Sequence, residues 1–248
     1  MITSTEGIIL RTISFRSSSI IATVLTQEHG KIGILAKGAK NQKSKLGGKL
    51  RVGNIVEVVY YYKESRSIQI LKEIDYAVKT FNNHSNMAKM AVATMTLELI
   101  SQLVQDGEQN NQIYQFSTRF LTWLNDMQGD PTGIFAYNQI QLADIMGIGL
   151  ALKIPEGRIS DIKVSYLHIK EGLISPDSTN DLCYKLTPNQ TLYMQLALTS
   201  KSSKILDINF EDNEYSNLIH NLDLYFKYHF DSIRERKSDQ IFEKILAL

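Results

Sequence analysis

The spacing of apolar residues changes near residue 80, and this change restricts the chain to folds that join a β structure to a helical one. Before residue 80, apolar residues occur in short runs rich in Ile, Val, Thr and Tyr, which favour strands. After it, they recur every three or four residues, as in amphipathic helices. The sequence therefore predicts an α+β chain with two domains, residues 1–80 and residues 81–248.

Five strands are predicted in the first domain. They cover residues 7–13, 20–26, 31–37, 52–62 and 67–71. The glycine-containing, polar segment 38–48 is predicted to be a loop. Five closely spaced strands favour a small closed barrel or a sandwich, and the OB-fold is a five-stranded barrel of this kind.

The second domain is predicted to be mostly helical. The helical patterns cover residues 87–104, 110–127, 132–146, 188–198, 213–230 and 239–246, the last with Ser238 as its N-cap. Residues 150–187 lack a helical pattern. Within them, residues 165–175 are typical of a short hairpin that turns at Glu171-Gly172.

Positive charge is concentrated in the first domain, although the net charge of the chain is only +1. Residues 1–80 carry 13 Lys and Arg against 6 Asp and Glu. Seven basic residues and no acidic residue occur in the basic segment, residues 31–51: Lys31, Lys37, Lys40, Lys43, Lys45, Lys49 and Arg51. A polyanion relieves the repulsion between such charges. The segment therefore predicts contact with nucleic-acid phosphates, without base-reading by a recognition helix.

Three consecutive tyrosines, Tyr60, Tyr61 and Tyr62, follow the basic segment and could stack against bases. Side chains alternate along a strand, so Tyr60 and Tyr62 point to one face and Tyr61 to the other. Only one of the two sets can be exposed. The alternative is that these rings belong to the core or to the sheet surface.

Catalysis is not predicted. Cys183 is the one cysteine, so a disulfide framework and a site built on several thiolates are excluded. None of the five histidines forms a motif with Cys183 that would indicate a nucleophilic pair. Gly47-Gly48-Lys49 lacks the first glycine and the final hydroxyl of a phosphate-binding loop. An OB-fold scaffold for RNA or for a protein partner remains an alternative to DNA binding.

The location expected from sequence is the cytoplasm. No apolar run approaches the roughly 20 residues of a membrane span. Residues 1–10 lack the pattern of a signal peptide, so we expect mature protein from the first residue. A single cysteine is also compatible with a reducing compartment.

An ordered set of short motifs resembles the bacterial RecO family of DNA repair and recombination mediators. The motifs are residues 5–12 (TEGIILRT), 26–33 (TQEHGKIG), 36–40 (AKGAK), 43–48 (KSKLGG) and, near the C-terminus, 225–229 (YFKYH) and 237–239 (KSD). The resemblance extends over the whole chain and is most specific in the first 50 residues or so.

The resemblance implies an N-terminal OB-fold, a mostly helical C-terminal domain, no catalysis and no cofactor. It implies binding of single- and double-stranded DNA, annealing of complementary strands and association with the nucleoid. It also implies association with RecR and with single-strand-binding protein, which RecA then replaces on DNA. The DNA contacts carry over by motif to Lys31, Lys37, Lys40, Lys43 and Lys45, and by their position on the basic surface to Arg11, Arg16, Lys49 and Arg51.

Two departures from the family pattern stand out. Many relatives carry a four-cysteine zinc site roughly where residues 152–185 lie, but this chain has Cys183 alone, so we expect no structural zinc. Some relatives have an Arg-Arg-Phe-Glu-like stretch that is linked to binding the tail of single-strand-binding protein. The matching residues here are 136–139 (AYNQ), so that tail site is not assigned.

Overall fold

The computed structural model describes residues 1–77, 84–153, 164–178, 182–199, 203–211 and 213–239. By their internal contacts the residues form two compact units, Met1–Gln128 and Gly129–Leu248. The first unit therefore includes two helices beyond the barrel. The domain boundary near residue 80 stays a prediction.

The first unit contains a closed five-stranded barrel, which confirms the predicted fold class. Its strands are β1 (Ile2–Phe15), β2 (Ser19–Thr26), β3 (Gly30–Ala36), β4 (Ile55–Tyr61) and β5 (Ile68–Tyr76), in the order β1-β2-β3-β5-β4. Four pairings are antiparallel, and the barrel closes through a parallel pairing of three residues between β3 and β5. This is the topology of the OB-fold.

The strands form because their inward positions are apolar. Ile9, Val24, Ile34, Val58 and Tyr60 are buried in one core cluster. The predicted strands are shorter than the observed β1 and β5. The predicted loop 38–48 ends in a short helix, α1 (Leu46–Lys49), that the sequence did not indicate.

Two helices complete the first unit: α2 (Met87–Leu103) and α3 (Asn111–Asp126). The side chains of Asn86 and Asn110 cap them by accepting hydrogen bonds from the amides of Lys89 and Ile113. The connection between them crosses the β2–β3 turn at Gly30, which has a φ of +62°. A Cβ atom at Gly30 would lie 2.1 Å from the Glu108 carbonyl oxygen, so only glycine fits there.

The second unit combines helices with a small sheet. Its helices are α4 (Ile134–Ile145), α5 (Pro188–Thr199) and α6 (Glu214–His229), and a 3₁₀ turn covers Ser203–Asp207. Its strands are β6 (Ala151–Leu152), β7 (Ser165–His168), β8 (Leu173–Ser175) and β9 (Cys183–Leu186), in the order β6-β8-β7-β9. The predicted hairpin is confirmed as β7 and β8, and the sheet adds β6 and β9. The predicted helix 239–246 lies outside the described residues except for its first residue.

Candidate nucleic-acid interface

Residues 37–51 of the basic segment cross one end of the barrel, between the end of β3 and the start of β4. Three apolar residues attach it there: Ala39 and Leu50 are buried at 4% and 3% exposure, and Leu46 packs against the same core. Between these anchors, the side chains of Lys40, Lys43 and Lys45 are exposed. The pattern of small or apolar anchors between lysines therefore directs the charges outward.

Five basic side chains of this segment are exposed: Lys37, Lys40, Lys43, Lys45 and Arg51. None of them forms an ion pair with another residue in the described part of the chain. Their charges are therefore available to an external polyanion.

The β1–β2 turn lies beside these lysines. The amide of Lys40 donates a hydrogen bond of 2.9 Å to the carbonyl oxygen of Ser18, and Ile20 pairs with Ala36. Arg16 occupies this turn with a φ of +54°, and its guanidinium carbon lies 5.2 Å from the centre of the Phe15 ring. The fold thus brings Arg16 to the same end of the barrel as the lysines.

Lys31 differs from its neighbours because this molecule's own groups hold its ammonium. Its Nζ donates to the Ser101 carbonyl oxygen at 2.7 Å and lies 3.1 Å from Asp106 Oδ1. Its side chain is only 14% exposed. Lys31 therefore fastens the end of α2 to the barrel instead of facing solvent.

Lys49 is held in a similar way. Its Nζ donates to the Ile74 carbonyl oxygen at 2.9 Å and to Asp75 Oδ1 at 3.0 Å. The hydrogen bond from Lys49 to the Asp75 carboxylate lowers the pKa of Asp75, and a hydrogen bond from the Tyr76 amide lowers it further. Lys49 thus joins α1 to the end of β5, and its charge is largely compensated.

Arg11 is exposed in the middle of β1, opposite Thr23 and next to an irregularity in the β1–β2 register. Phe15 follows it by four positions, which correspond to about 13 Å along a strand. Arg11 therefore lies away from the β1–β2 turn.

Asn54 and His84 support α1, and sequence reasoning missed both. Asn54 Nδ2 donates to the carbonyl oxygens of Gly48 and Lys49, each at 3.0 Å, while its Oδ1 lies 2.8 Å from His84 Nε2. Burial lowers the pKa of His84, and the charge of Arg51 lowers it further. The Gly-Asn pair at 53–54, with Gly53 at a φ of +86°, is a turn signal that could have indicated Asn54.

The three tyrosines divide as predicted, but the inward pair is not available to a ligand at the basic end. Tyr60 is fully buried, and burial raises its pKa to about 12. Tyr62 stacks on His29 with 5.4 Å between the ring centres. Tyr61 is exposed and pairs with Ile2 on the outer face of the barrel.

A cleft of about 430 Å³ lies at the opposite end of β3. The His29–Tyr62 stack, Lys31 and Arg66 line it together with the carboxylates of Glu28, Glu64 and Asp106. The Lys31 ammonium is paired with Asp106, so the cleft offers a phosphate chain no excess of positive charge.

In the second unit, residues 136–139 of α4, where the sequence analysis assigned no tail site, face mostly inward. In α4, Ala136, Asn138 and Gln139 are buried, and Gln139 Nε2 donates to Asp223 Oδ1 at 2.7 Å. Tyr137 is half-buried. These side chains support the packing of α4 against α6 and leave little surface for a ligand.

Cys183 is half-buried on β9, directly opposite His168 on β7. His168 Nε2 lies 3.0 Å from both Ser175 Oγ and the Asp177 carbonyl oxygen. Among the described residues, no group of three or more His, Cys, Asp or Glu side chains could hold a metal ion. No helix in the described ranges is both long and apolar enough to cross a bilayer.

A closed five-stranded barrel of this topology, followed by helices, places the chain in the class of OB-fold proteins with a helical extension. The sequence model of the family described as "Recombination protein O N terminal" matches residues 1–78, and that described as "Recombination protein O C terminal" matches residues 84–239. The chain belongs to the RecO family of DNA repair proteins.

Two relatives show the extent of the similarity. The DNA repair protein RecO of Salinibacter ruber is 31% identical over 174 residues, which cover 70% of this chain and 64% of the relative. The DNA repair protein RecO of Chloroherpeton thalassium is 25% identical over 259 aligned positions, which cover 99% of this chain and all of the relative.

Proposed function

We propose that this chain is a non-enzymatic recombination mediator that binds single- and double-stranded DNA at the basic end of its barrel. The basic end comprises Arg16, Lys37, Lys40, Lys43, Lys45 and Arg51. The observation that supports the proposal is the exposure of these side chains together, while Lys31 and Lys49 are held by internal partners. Membership of a family of DNA repair proteins favours DNA over RNA as the polyanion.

Strand annealing follows from the same charges. Two complementary strands repel each other through their phosphates, and a surface that neutralises part of both charges lowers that barrier. The proposed contacts of the basic side chains are with phosphates, so these contacts do not make annealing depend on base sequence beyond complementarity.

The proposed partners are RecR, single-strand-binding protein and RecA, and the proposed place of action is the nucleoid in the cytoplasm. In this scheme the chain and RecR help RecA replace single-strand-binding protein on DNA. Family membership supports the scheme. The test is annealing of complementary strands coated with single-strand-binding protein, with and without this chain. No acceleration would contradict the proposal.

The DNA-binding site is tested by the salt dependence of affinity. We expect replacement of Lys37, Lys40, Lys43 and Lys45 by Ala to reduce the log–log salt slope by about three, because each phosphate contact contributes roughly 0.7–0.9. A matched control replaces four exposed lysines of the second unit: Lys153, Lys170, Lys185 and Lys227. Both variants lose four positive charges, but we expect the salt slope of DNA affinity to fall only in the first variant. Equal slopes for the two variants would reject the basic end as the site.

The alternatives have direct tests. An RNA-binding function predicts tighter binding to RNA than to DNA of the same sequence. An enzyme predicts DNA cleavage or nucleotide hydrolysis that disappears in Cys183→Ala. We expect neither result.

A further inference from the structure

Tyr76 is an exposed aromatic residue at the edge of the basic segment. It ends β5, pairs with Val56 on β4 and is 46% exposed. Its hydroxyl lies 3.7 Å from the position that a Cβ atom would take at Gly48, and the Lys49 Nζ lies 5.9 Å from the centre of its ring. The ring therefore lies beside α1, within the surface that carries the basic charges.

Gly48 leaves the side of α1 that faces this ring without a side chain. Gly47 and Gly48 form the middle of α1, where each disfavours the helix by about 1 kcal/mol relative to Ala. Leu46 and Leu50 direct one side of α1 into the core, and Gly48 is exposed. Since a residue three positions earlier in a helix lies on the same side, Lys45 shares that side with Gly48.

The charges near the ring favour a nucleic-acid strand. Asp75 precedes Tyr76 and would repel phosphate, but Lys49 lies 3.0 Å from its carboxylate and compensates its charge. Lys45 and Arg51 flank α1 and form no ion pair with any residue that the structure describes. A phosphate chain that follows these cations would bring its bases within reach of the ring.

We propose that Tyr76 is the platform on which an unpaired base of single-stranded DNA stacks. This inference rests on the proposed function. It adds a contact at the basic end that single-stranded DNA makes and duplex DNA does not. Single-strand sites combine a basic surface with aromatic rings, and stacking tolerates every base because each has a π face. The bases of a duplex are already stacked on one another, so Tyr76 contributes to binding of single strands and not of duplexes.

The chain contains a matched control. Tyr61 is exposed to almost the same extent, 44%, but it lies five residues along β4 from Val56, the partner of Tyr76. Five residues of strand correspond to about 17 Å. Tyr61 also pairs with Ile2 on the outer face, away from α1.

The experiment measures affinity for oligo-dT and for a duplex of equal length with Tyr76→Ala, Tyr76→Phe and Tyr61→Ala. We expect Tyr76→Ala to weaken oligo-dT binding about 5- to 150-fold, which corresponds to the loss of one stacked base. Its duplex affinity and its salt slope should stay unchanged, because no phosphate contact is removed. Tyr76→Phe and Tyr61→Ala should bind both DNAs as the parent does.

Two results would overturn the inference: unchanged oligo-dT binding by Tyr76→Ala, or an equal loss for oligo-dT and duplex. Failure of the proposed function is distinct, because it would appear as an unchanged salt slope in the four-lysine variant. Tyr76→Trp in a Trp123→Phe background gives an independent measurement. Its tryptophan fluorescence should be quenched by oligo-dT and not by duplex, and equal signals with both would again reject the platform.

Discussion

Lys31 and Asp106 form an ion pair, with 3.1 Å between Nζ and Oδ1. Asp106 is 89% exposed, so the pair itself contributes little to stability. The hydrogen bond from the nearly buried ammonium to the Ser101 carbonyl oxygen contributes more. The two bonds make Lys31 a part of the scaffold, although it belongs to the basic segment.

Lys31→Met should therefore affect stability more than DNA binding. We expect its free energy of unfolding, measured in denaturant, to fall by about 1–3 kcal/mol, because a carbonyl oxygen loses its charged donor. Its salt slope for DNA should match that of the parent. Lys37→Met is the control, with unchanged stability and a reduced slope. A slope that falls equally in both variants would show that Lys31 contacts phosphate.

His84 should make stability depend on pH. Asn54 Nδ2 donates to two carbonyl oxygens, so its Oδ1 must accept, and the neutral His84 ring therefore carries its proton on Nε2. Burial and Arg51 lower the pKa of His84, so its contribution to stability is present above its ordinary value of 6.5 and is lost as the pH falls through the lowered value.

The check is the melting temperature between pH 7.5 and pH 5 for the parent and for His84→Gln, which keeps a donor for Asn54. We expect the parent to lose more stability than the variant below pH 6.5. Parallel curves would contradict this role for His84.

Lys89 is a buried lysine of α2, and its Nζ donates to the carbonyl oxygens of Asn125 and Met127 at 3.0 and 2.7 Å. It thus compensates the negative end of α3. Lys89→Met removes this donor from both oxygens, and we expect the unfolding free energy to fall by about 1–3 kcal/mol. The exposed Lys63→Met should change it by less than about 0.5 kcal/mol. Equal effects of the two substitutions would show that the carbonyl contacts are unimportant.

Arg236 is almost fully buried in the second unit. Its Nη2 donates to Asp223 Oδ2 at 2.6 Å, its Nε donates to Asp239 Oδ1 at 2.8 Å, and its guanidinium lies 4.7 Å from the centre of the Phe135 ring. Arg236→Ala leaves the Asp223 carboxylate without its cation, and breaking a buried pair in this way costs about 3–5 kcal/mol. Thermal unfolding should show a lower melting temperature than for Lys227→Ala, an exposed position on α6. A melting temperature equal to that of the control would mean that Asp223 needs no cation.

The barrel was predictable because each strand carries its own signal. The runs of β-branched and aromatic residues in β2 and β4 are local signals, and so is the glycine at the β2–β3 turn, Gly30. The short elements were not predictable in the same way. α1 has glycine at two of its four positions, and β6 has two residues, so tertiary contacts and not local propensity define them.

The candidate site could be predicted as a segment of the chain, but the surroundings of its individual residues could not. Lys31 and Lys37 are both lysines of the basic segment. Lys31 contacts Ser101 and Asp106, which are 70 and 75 positions away in the chain, whereas Lys37 faces solvent. Lys49 likewise meets Asp75. Pairings at such separation follow from the closed barrel and the helix that crosses it. Tyr76 lies beyond the tyrosine cluster, and only the register of β5 with β4 brings it next to α1.

The barrel closes through only three paired residues, Gly33–Leu35 with Ile68–Ile70, whereas every other pairing covers at least six. A closed sheet is held least firmly where the fewest residues pair, and in this barrel that is the pairing of β3 with β5. The amide protons of this stretch of β5 should therefore exchange with heavy water sooner than those of β1 and β2. On refolding, this pairing should form after the β2–β3 and β4–β5 hairpins, because those hairpins must first bring its two edges together.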